Sequence, residues 1–375
     1  MKKILAMLLA LVMVLGLAAC GSAPAAEAPA AEAAYKVAMV TDYGDITDQS
    51  FNQTTYEACK AYAEANNVEF TYYKPAGDSD AERVAMIEKA VDEGYNVIVL
   101  PGFAFASAIA TAAPQYPDVK FIALDVELTA DTYSNVYSAI YQEELCGYMA
   151  GYAAVKLGYT KLGFLGGMAV PAVQRYGYGY VQGADAAAKE MNITVDMNYI
   201  YGGLFYGTAD ITAVMDTWYQ GGTEVVFACG GGIYTSAVDA AKKVEGTKVI
   251  GVDVDQAGVI ANYAGMSDKS LTVTSAMKGL YPTTVDTLTD VINNGNWAKY
   301  AGKVATLGLV SGDDPTANYV QIPMESTQWS DGFTQDDYKA MVKAMFDGTI
   351  VVSGDVSAEP AVTNVNVDYQ GQIVG

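Results

Sequence analysis

Residues 37–53 read VAMVTDYGDITDQSFNQ, and the way this stretch changes character decides the architecture of the chain. Residues 37–40 form an apolar run suited to a buried strand or a buried helix. The polar run 41–53 that follows carries Asp42, Asp45 and Asp48, then Ser50, Phe51 and Asn52. Beyond it Tyr56, Cys59, Lys60, Tyr62 and Ala63 recur at helical spacing. Strand, polar loop and helix in succession form the opening unit of a doubly wound sheet, in which ligands sit outside the carboxyl ends of the strands. Function is therefore expected in the loop.

Working outward, strand-like and helix-like segments alternate. Strands are predicted at 37–42, 69–74, 97–101, 120–125 and 135–141, with amphipathic segments near 52–66, 81–93 and 104–116 and a long helix over 143–157. A second set follows, with strands at 161–166, 195–201, 225–229, 248–253 and 271–275. A helix from 276 to about 294, strands at 304–310 and 319–323, and a helix at 335–346 complete it. The tail after 354 gives only a weak signal, and the tyrosine-rich run RYGYGYVQG reads as a glycine-aromatic loop. Such alternation predicts an α/β fold with parallel sheets and right-handed crossovers. Two βα sets of similar size predict two lobes of one architecture, 35–140 plus 276–312 and 141–275 plus 313–375, with a ligand cleft between them. Crossings near 138–142, 275 and 312–320 would make a hinge.

Composition narrows the chemistry. A chain of 375 residues, 51% of them apolar, has ample means to bury a core. Its formal charge of −22 argues against nucleic acid or an anionic membrane surface as partner. Histidine is absent, which excludes a Ser-His-Asp triad and the commonest metal ligand. Arginine occurs only as Arg83 and Arg175, so the usual bidentate clamp for phosphate or carboxylate is scarce. These absences point to a neutral ligand, bound without cofactor or metal.

Residues 1–20, MKKILAMLLALVMVLGLAAC, have the charged start, short apolar core and small-residue end of a secretory signal. The apolar part falls short of the roughly 20 residues that span a bilayer. Leu17-Ala18-Ala19-Cys20 resembles a bacterial lipobox, implying cleavage after residue 19 and lipidation of Cys20; the other reading is an ordinary signal that happens to end near a cysteine. Residues 20–34 are low-complexity Ala/Pro/Glu and read as a disordered tether. Cys59, Cys146 and Cys229, odd in number and far apart, read as small buried hydrophobes.

Asp42, Asp125 and Asp253 each end a predicted strand. A carboxylate only accepts hydrogen bonds, so three at one cleft suit a ligand rich in hydroxyl or N–H groups. Each alone reads as a turn or helix cap, and it is the three together that point to a ligand. Phe51 offers a flat wall for a planar ring, or else staples the following helix. Gly230, Gly231 and Gly232 permit close backbone approach to a ligand, or simply make a turn. Lys278 is a donor aimed into the cleft or a solvated surface lysine. Tyr176, Tyr178 and Tyr180 either line the mouth of the cleft or sit on an ordinary surface.

Thr41 to Gln53 (TDYGDITDQSFNQ), together with VLPGF from Val99, YPDVKFI from Tyr116, AGYAA from Ala150, GFLGG from Gly163 and GVDVDQ from Gly251, resembles the basic membrane protein family of lipoproteins. That family contains purine nucleoside receptors, the substrate-binding proteins of ABC transporters. The resemblance runs from about 36 to 325. It implies a type I periplasmic-binding fold, two doubly wound, Rossmann-like lobes joined by hinge strands and closing on a purine nucleoside. By position, Asp42 resembles the family's contact to the base and Phe51 one of its stacking walls. Asp125, Asp253 and Lys278 resemble its ribose contacts, with Asp48 and Asn52 shaping the pocket. Phe205, Phe227 and Tyr234 compete for the second wall, and Phe205, Gly230 and Gly231 are included among the expected ligand neighbours.

The expected protein is thus a monomeric, lipid-anchored binding protein on the extracytoplasmic face of the membrane that delivers a nucleoside to an ABC permease. A sugar or other polyol binder, an extracellular nucleoside hydrolase using paired aspartates, and a surface antigen with an idle cleft are the alternatives.

Overall fold

The computed structural model describes residues 34–129 and 132–374. The expected signal segment, the lipidation site Cys20 and nearly all of the expected tether lie outside the described residues.

The opening stretch forms strand β1 (Lys36–Val40), a loop and helix α1 (Phe51–Asn66). β2 (Glu69–Tyr73), α2 (Asp80–Asp92), β3 (Val97–Pro101), α3 (Ala106–Gln115), β4 (Lys120–Leu124) and β5 (Val136–Tyr141) continue the alternation. These join β11 (Lys303–Leu307) in a six-stranded sheet of order β11-β5-β4-β3-β1-β2, parallel throughout. β3 is buried at every residue, and β1 and β4 at all but the first. Helices on both faces explain why these strands read as unbroken apolar runs.

The chain then passes through α4 (Glu143–Lys156) into the second lobe. There β6 (Lys161–Gly166), α5 (Pro171–Met191), β7 (Val195–Tyr201), α6 (Ala209–Gln220), β8 (Val225–Cys229), α7 (Tyr234–Ala241), β9 (Lys248–Asp253), α8 (Ala257–Ala264) and β10 (Thr272–Lys278) repeat the winding. With β12 (Val320–Gln321) and β13 (Val365–Gln372) they make a seven-stranded sheet of order β12-β10-β9-β8-β6-β7-β13. Only β12 runs antiparallel. After β10, helix α9 (Leu280–Leu288) returns to pack on α1 of the first lobe, and β11 completes the first sheet before the chain comes back to the second. Helix α10 (Trp297–Tyr300) leads into β11, and α11 (Gln335–Phe346), fixed by a Thr334–Asp337 capping box, precedes the tail.

Three readings need correction. The strand expected at 271–275 continues to Lys278, with a register shift inside it, so the following helix begins at Leu280. The tail supplies a genuine strand, β13, which adds to the edge of the second sheet beside β7. The tyrosine-rich run is no loop but the middle of the 21-residue helix α5. Its glycines answer to packing: a Cβ on Gly179 would strike the carbonyl of Glu144, and one on Gly183 that of Tyr148. Gly147 and Gly151 of α4 face the carbonyls of Tyr176 and Tyr180 in return. The two helices touch backbone to backbone, a contact that repays the roughly 1 kcal/mol helix cost of each glycine.

Cys59, Cys146 and Cys229 are free and buried, as small hydrophobes should be. Among the described residues no helix is long and apolar enough to cross a membrane.

Candidate functional site

The carboxyl ends of both sheets face one cavity of about 390 Å³, within the roughly 300–1,000 Å³ usual for small-molecule sites. Asp42, Asp48, Phe51, Asn52, Asp125, Phe205, Gly230, Gly231, Asp253 and Lys278 all line it.

From the first lobe, Asp42 stands just beyond β1. Its Oδ1 accepts from the backbone N–H groups of Tyr43 and Gly44, both at 2.6 Å, and from Asn52 Nδ2 at 3.4 Å. Burial lifts its carboxyl above the ordinary range, against the pull of those N–H groups. Gly102 at the end of β3, with φ of 119°, leaves room for the Asp42 carboxylate. Asp48 has a different task. Its two oxygens accept from the N–H groups of Ser50, Asn52 and Gln53, so it caps α1 in place of Ser50. Burial pushes its carboxyl up to about 6, with those bonds opposing. This cap fixes Phe51 and Asn52 on the first turn of α1. Asn52 Nδ2 is held by Asp42 and Asp48, and its Oδ1 is buried with no partner among the described residues.

At the cavity floor, Asp125 directly follows β4 and Asp253 ends β9, with φ of 60° and 65°. Left-handed backbone is tolerated by Asp better than by most residues. Lys278 pairs with Asp125, reaches Glu143 Oε1 at 3.4 Å and lies 3.7 Å from Asp253. Burial would lower its pKa, but the attraction of Asp125, Asp253 and Glu143 wins and raises it. It is therefore a buried, fully charged group and not a surface lysine, and it sits 4.8 Å from the centre of the Phe51 ring. Asp253 Oδ2 accepts from Ser50 Oγ at 2.5 Å and Oδ1 from Tyr176 OH at 3.3 Å. Asp125 Oδ1 is buried with no partner among the described residues.

The second lobe contributes Phe205, in the loop after β7. Added Cβ atoms at Gly167 and Gly230 would meet its ring, so the glycines at the tips of β6 and β8 make its seat. Phe205 packs against Tyr43 and Phe103 of the first lobe, with ring centres 6.5 and 6.4 Å away. Of its two competitors, Phe227 is wholly buried against Phe164 and Tyr176. Tyr234 packs on Tyr263, off the cavity. Tyr176 lines the cavity, whereas Tyr178 and Tyr180 are buried in α5 away from it.

Sequence reasoning passed over Tyr43 and Phe103, which lay inside the quoted segments, and Cys229 as a lining residue. It also missed Glu143, which is wholly buried, and Arg175, which bonds to it. Nothing in their neighbours' pattern marks them. The arrangement can accept hydrogen bonds at several fixed oxygens, donate from the Lys278 ammonium and offer aromatic faces to a flat group. Among the described residues no group of His, Cys, Asp and Glu could hold a metal ion.

Comparison with known proteins gives the context. Residues 35–341 match the family described as ABC transporter substrate-binding protein PnrA-like. The chain is 29% identical over 291 residues to the ABC transporter nucleoside-binding protein BmpA of Lactococcus lactis subsp. cremoris, covering 74% of this chain and 80% of that one. It is also 29% identical over 225 residues to basic membrane protein A of Borreliella burgdorferi, covering 59% and 64%. A solute-binding protein of an ABC transporter system from Aeropyrum pernix shares the fold at a TM-score of 0.67 and 22% identity, over 84% of this chain and 87% of that one. The family is one of binding proteins and not of enzymes. With the expected fold present, the chain belongs to the PnrA-like family of ABC transporter substrate-binding proteins.

Proposed function

We propose that this protein captures a nucleoside, most naturally a purine nucleoside, between its two lobes for import. The observation that carries the reading is the pair Phe51 and Phe205, one from each lobe, lining a single cavity that also holds Asp42, Asp125 and Asp253. A flat base fits between the rings, with Asp42 and Asn52 Oδ1 taking its N–H groups. The ribose hydroxyls then meet Asp125, Asp253 and Lys278. A plain sugar would use the floor and leave the aromatic walls unfilled. The nucleoside-binding relative from Lactococcus supports the same ligand class. No bond is made or broken: the lobes bind tighter when closed, and the ligand shifts the population.

The delivery partner in this reading is an ABC permease, and Cys20 carries the lipid that holds the monomer on the extracytoplasmic face. The full-length chain, purified in detergent, should be stabilised against heat by micromolar guanosine, inosine or adenosine and not by ribose. Stabilisation by ribose alone would replace the nucleoside with a polyol. Release of free hypoxanthine from inosine would replace binding with hydrolysis.

A further inference from the structure

Arg175 does not line the cavity, yet it touches what shapes it. It lies on α5 beside Tyr176, with its side chain 12% exposed. Its Nε donates to Glu143 Oε2 at 2.7 Å and its Nη1 to Glu127 Oε1 at 2.6 Å. Glu143, wholly buried at the start of α4, turns its other oxygen to Lys278. Glu127 belongs to the first lobe, two residues beyond Asp125.

Three carboxylates, Asp125, Asp253 and Glu143, crowd one ammonium whose side chain is 3% exposed. A buried carboxylate without a partner is strongly unfavourable, so with no second cation Glu143 would compete with Asp125 for Lys278. A guanidinium can serve two acids from different nitrogens of one rigid fork, as an ammonium cannot. We propose that Arg175 is a positioning residue. By occupying Glu143 it leaves Lys278 to Asp125, and by holding Glu127 it ties α5 of the second lobe to the segment of the first that carries Asp125. The part of this inference that concerns affinity rests on the nucleoside reading; the tie between lobes does not.

The test uses full-length protein in detergent and the variants R175Q, E127Q and E143Q/R175Q. Cys229 lines the cavity and is 1% exposed, while Cys59 and Cys146 lie off it and are fully buried. Alkylation of each thiol in the ligand-free protein, followed by mass spectrometry, therefore separates lobe opening from unfolding. R175Q should speed labelling of Cys229 at least fivefold with Cys59 and Cys146 unchanged, and E127Q should do so to a smaller extent. R175Q should also weaken guanosine binding at least tenfold, and E143Q/R175Q should recover most of that loss, because Lys278 is then contested by no third acid.

Unchanged labelling in both single variants overturns the tie. A double variant as weak as R175Q overturns the positioning role. If R175Q exposes all three thiols, E127Q, which alters only a partly exposed acid, decides the matter by its Cys229 rate. If the wild type binds no nucleoside, that reading falls while the labelling result still decides whether Arg175 joins the lobes.

Discussion

The two sheets are wound alike and furnished differently. β4 in one runs into, and β9 in the other ends in, an aspartate with left-handed backbone, Asp125 and Asp253. β3 and β8 both run into a glycine with positive φ, Gly102 at 119° and Gly230 at 145°. The first lobe then adds Asp42, Asn52 and Phe51 from the loop after β1 and the helix it leads into. The second lobe has glycines at the corresponding place, Gly166 and Gly167, and fills the space with Phe205. The shared aspartates sit where the winding places a strand tip in either lobe, and Asp42, Asn52, Phe51 and Phe205 are what make the two walls differ. In the nucleoside reading the first lobe supplies the acceptors for a base edge, and the second supplies the opposing ring and the buried Lys278 ammonium.

The largest effect should come from the ammonium. Lys278→Met leaves Asp125, Asp253 and Glu143 buried without their cation, and urea unfolding should show a loss of about 3–5 kcal/mol. A loss below about 1 kcal/mol would mean that water already solvates the cluster. The ring walls come next. If each lobe supplies one face, Phe51→Ala and Phe205→Ala should weaken nucleoside binding by comparable amounts, about 1–3 kcal/mol each. Calorimetry showing a deficit for one variant alone would leave the base resting on a single lobe.

The two aspartates sharpen the comparison further. Asp253→Ala should lower nucleoside affinity at least tenfold, about 1.4 kcal/mol, and an unaltered dissociation constant would move the ribose elsewhere. The smallest effect is one of pH. Ionised Asp42 is the form that accepts a base N–H, so affinity is full above its pKa and falls as pH drops through it. Because burial raises that pKa above 3.8, the fall should begin at a higher pH than for an exposed aspartate. Asp42→Asn should lack this inflection.

Much of this was legible in the sequence, for reasons that are physical. Strands such as β6, β8 and β9 are buried on both faces and read as continuous apolar runs, so even their ends were predicted where they occur. Acidic residues at strand tips follow directly from such assignments. β13 was not legible, because VNVDYQGQ alternates and is half exposed, and only its pairing with β7 makes it a strand. The glycines of α5 look like helix breakers until the carbonyls of α4 come into view. Lys278 looks like any lysine after a strand, and Glu143 like any acid in a first helical turn, since burial by distant segments leaves no local trace. Choosing Phe205 over Phe227 and Tyr234 likewise required knowing which ring had a glycine seat open to the cavity.

The glycine contact between α4 and α5 bears on how the cleft behaves before anything enters it. At Gly147, Gly151, Gly179 and Gly183 the two backbones meet directly, so the helices interlock and resist sliding past one another. Glu143 is rooted in one and Arg175 and Tyr176 in the other, so the partners of Lys278 and Asp253 keep their spacing whatever the cleft is doing. An incoming guest would then meet a wall already set, and the ordering cost of assembling it is met during folding.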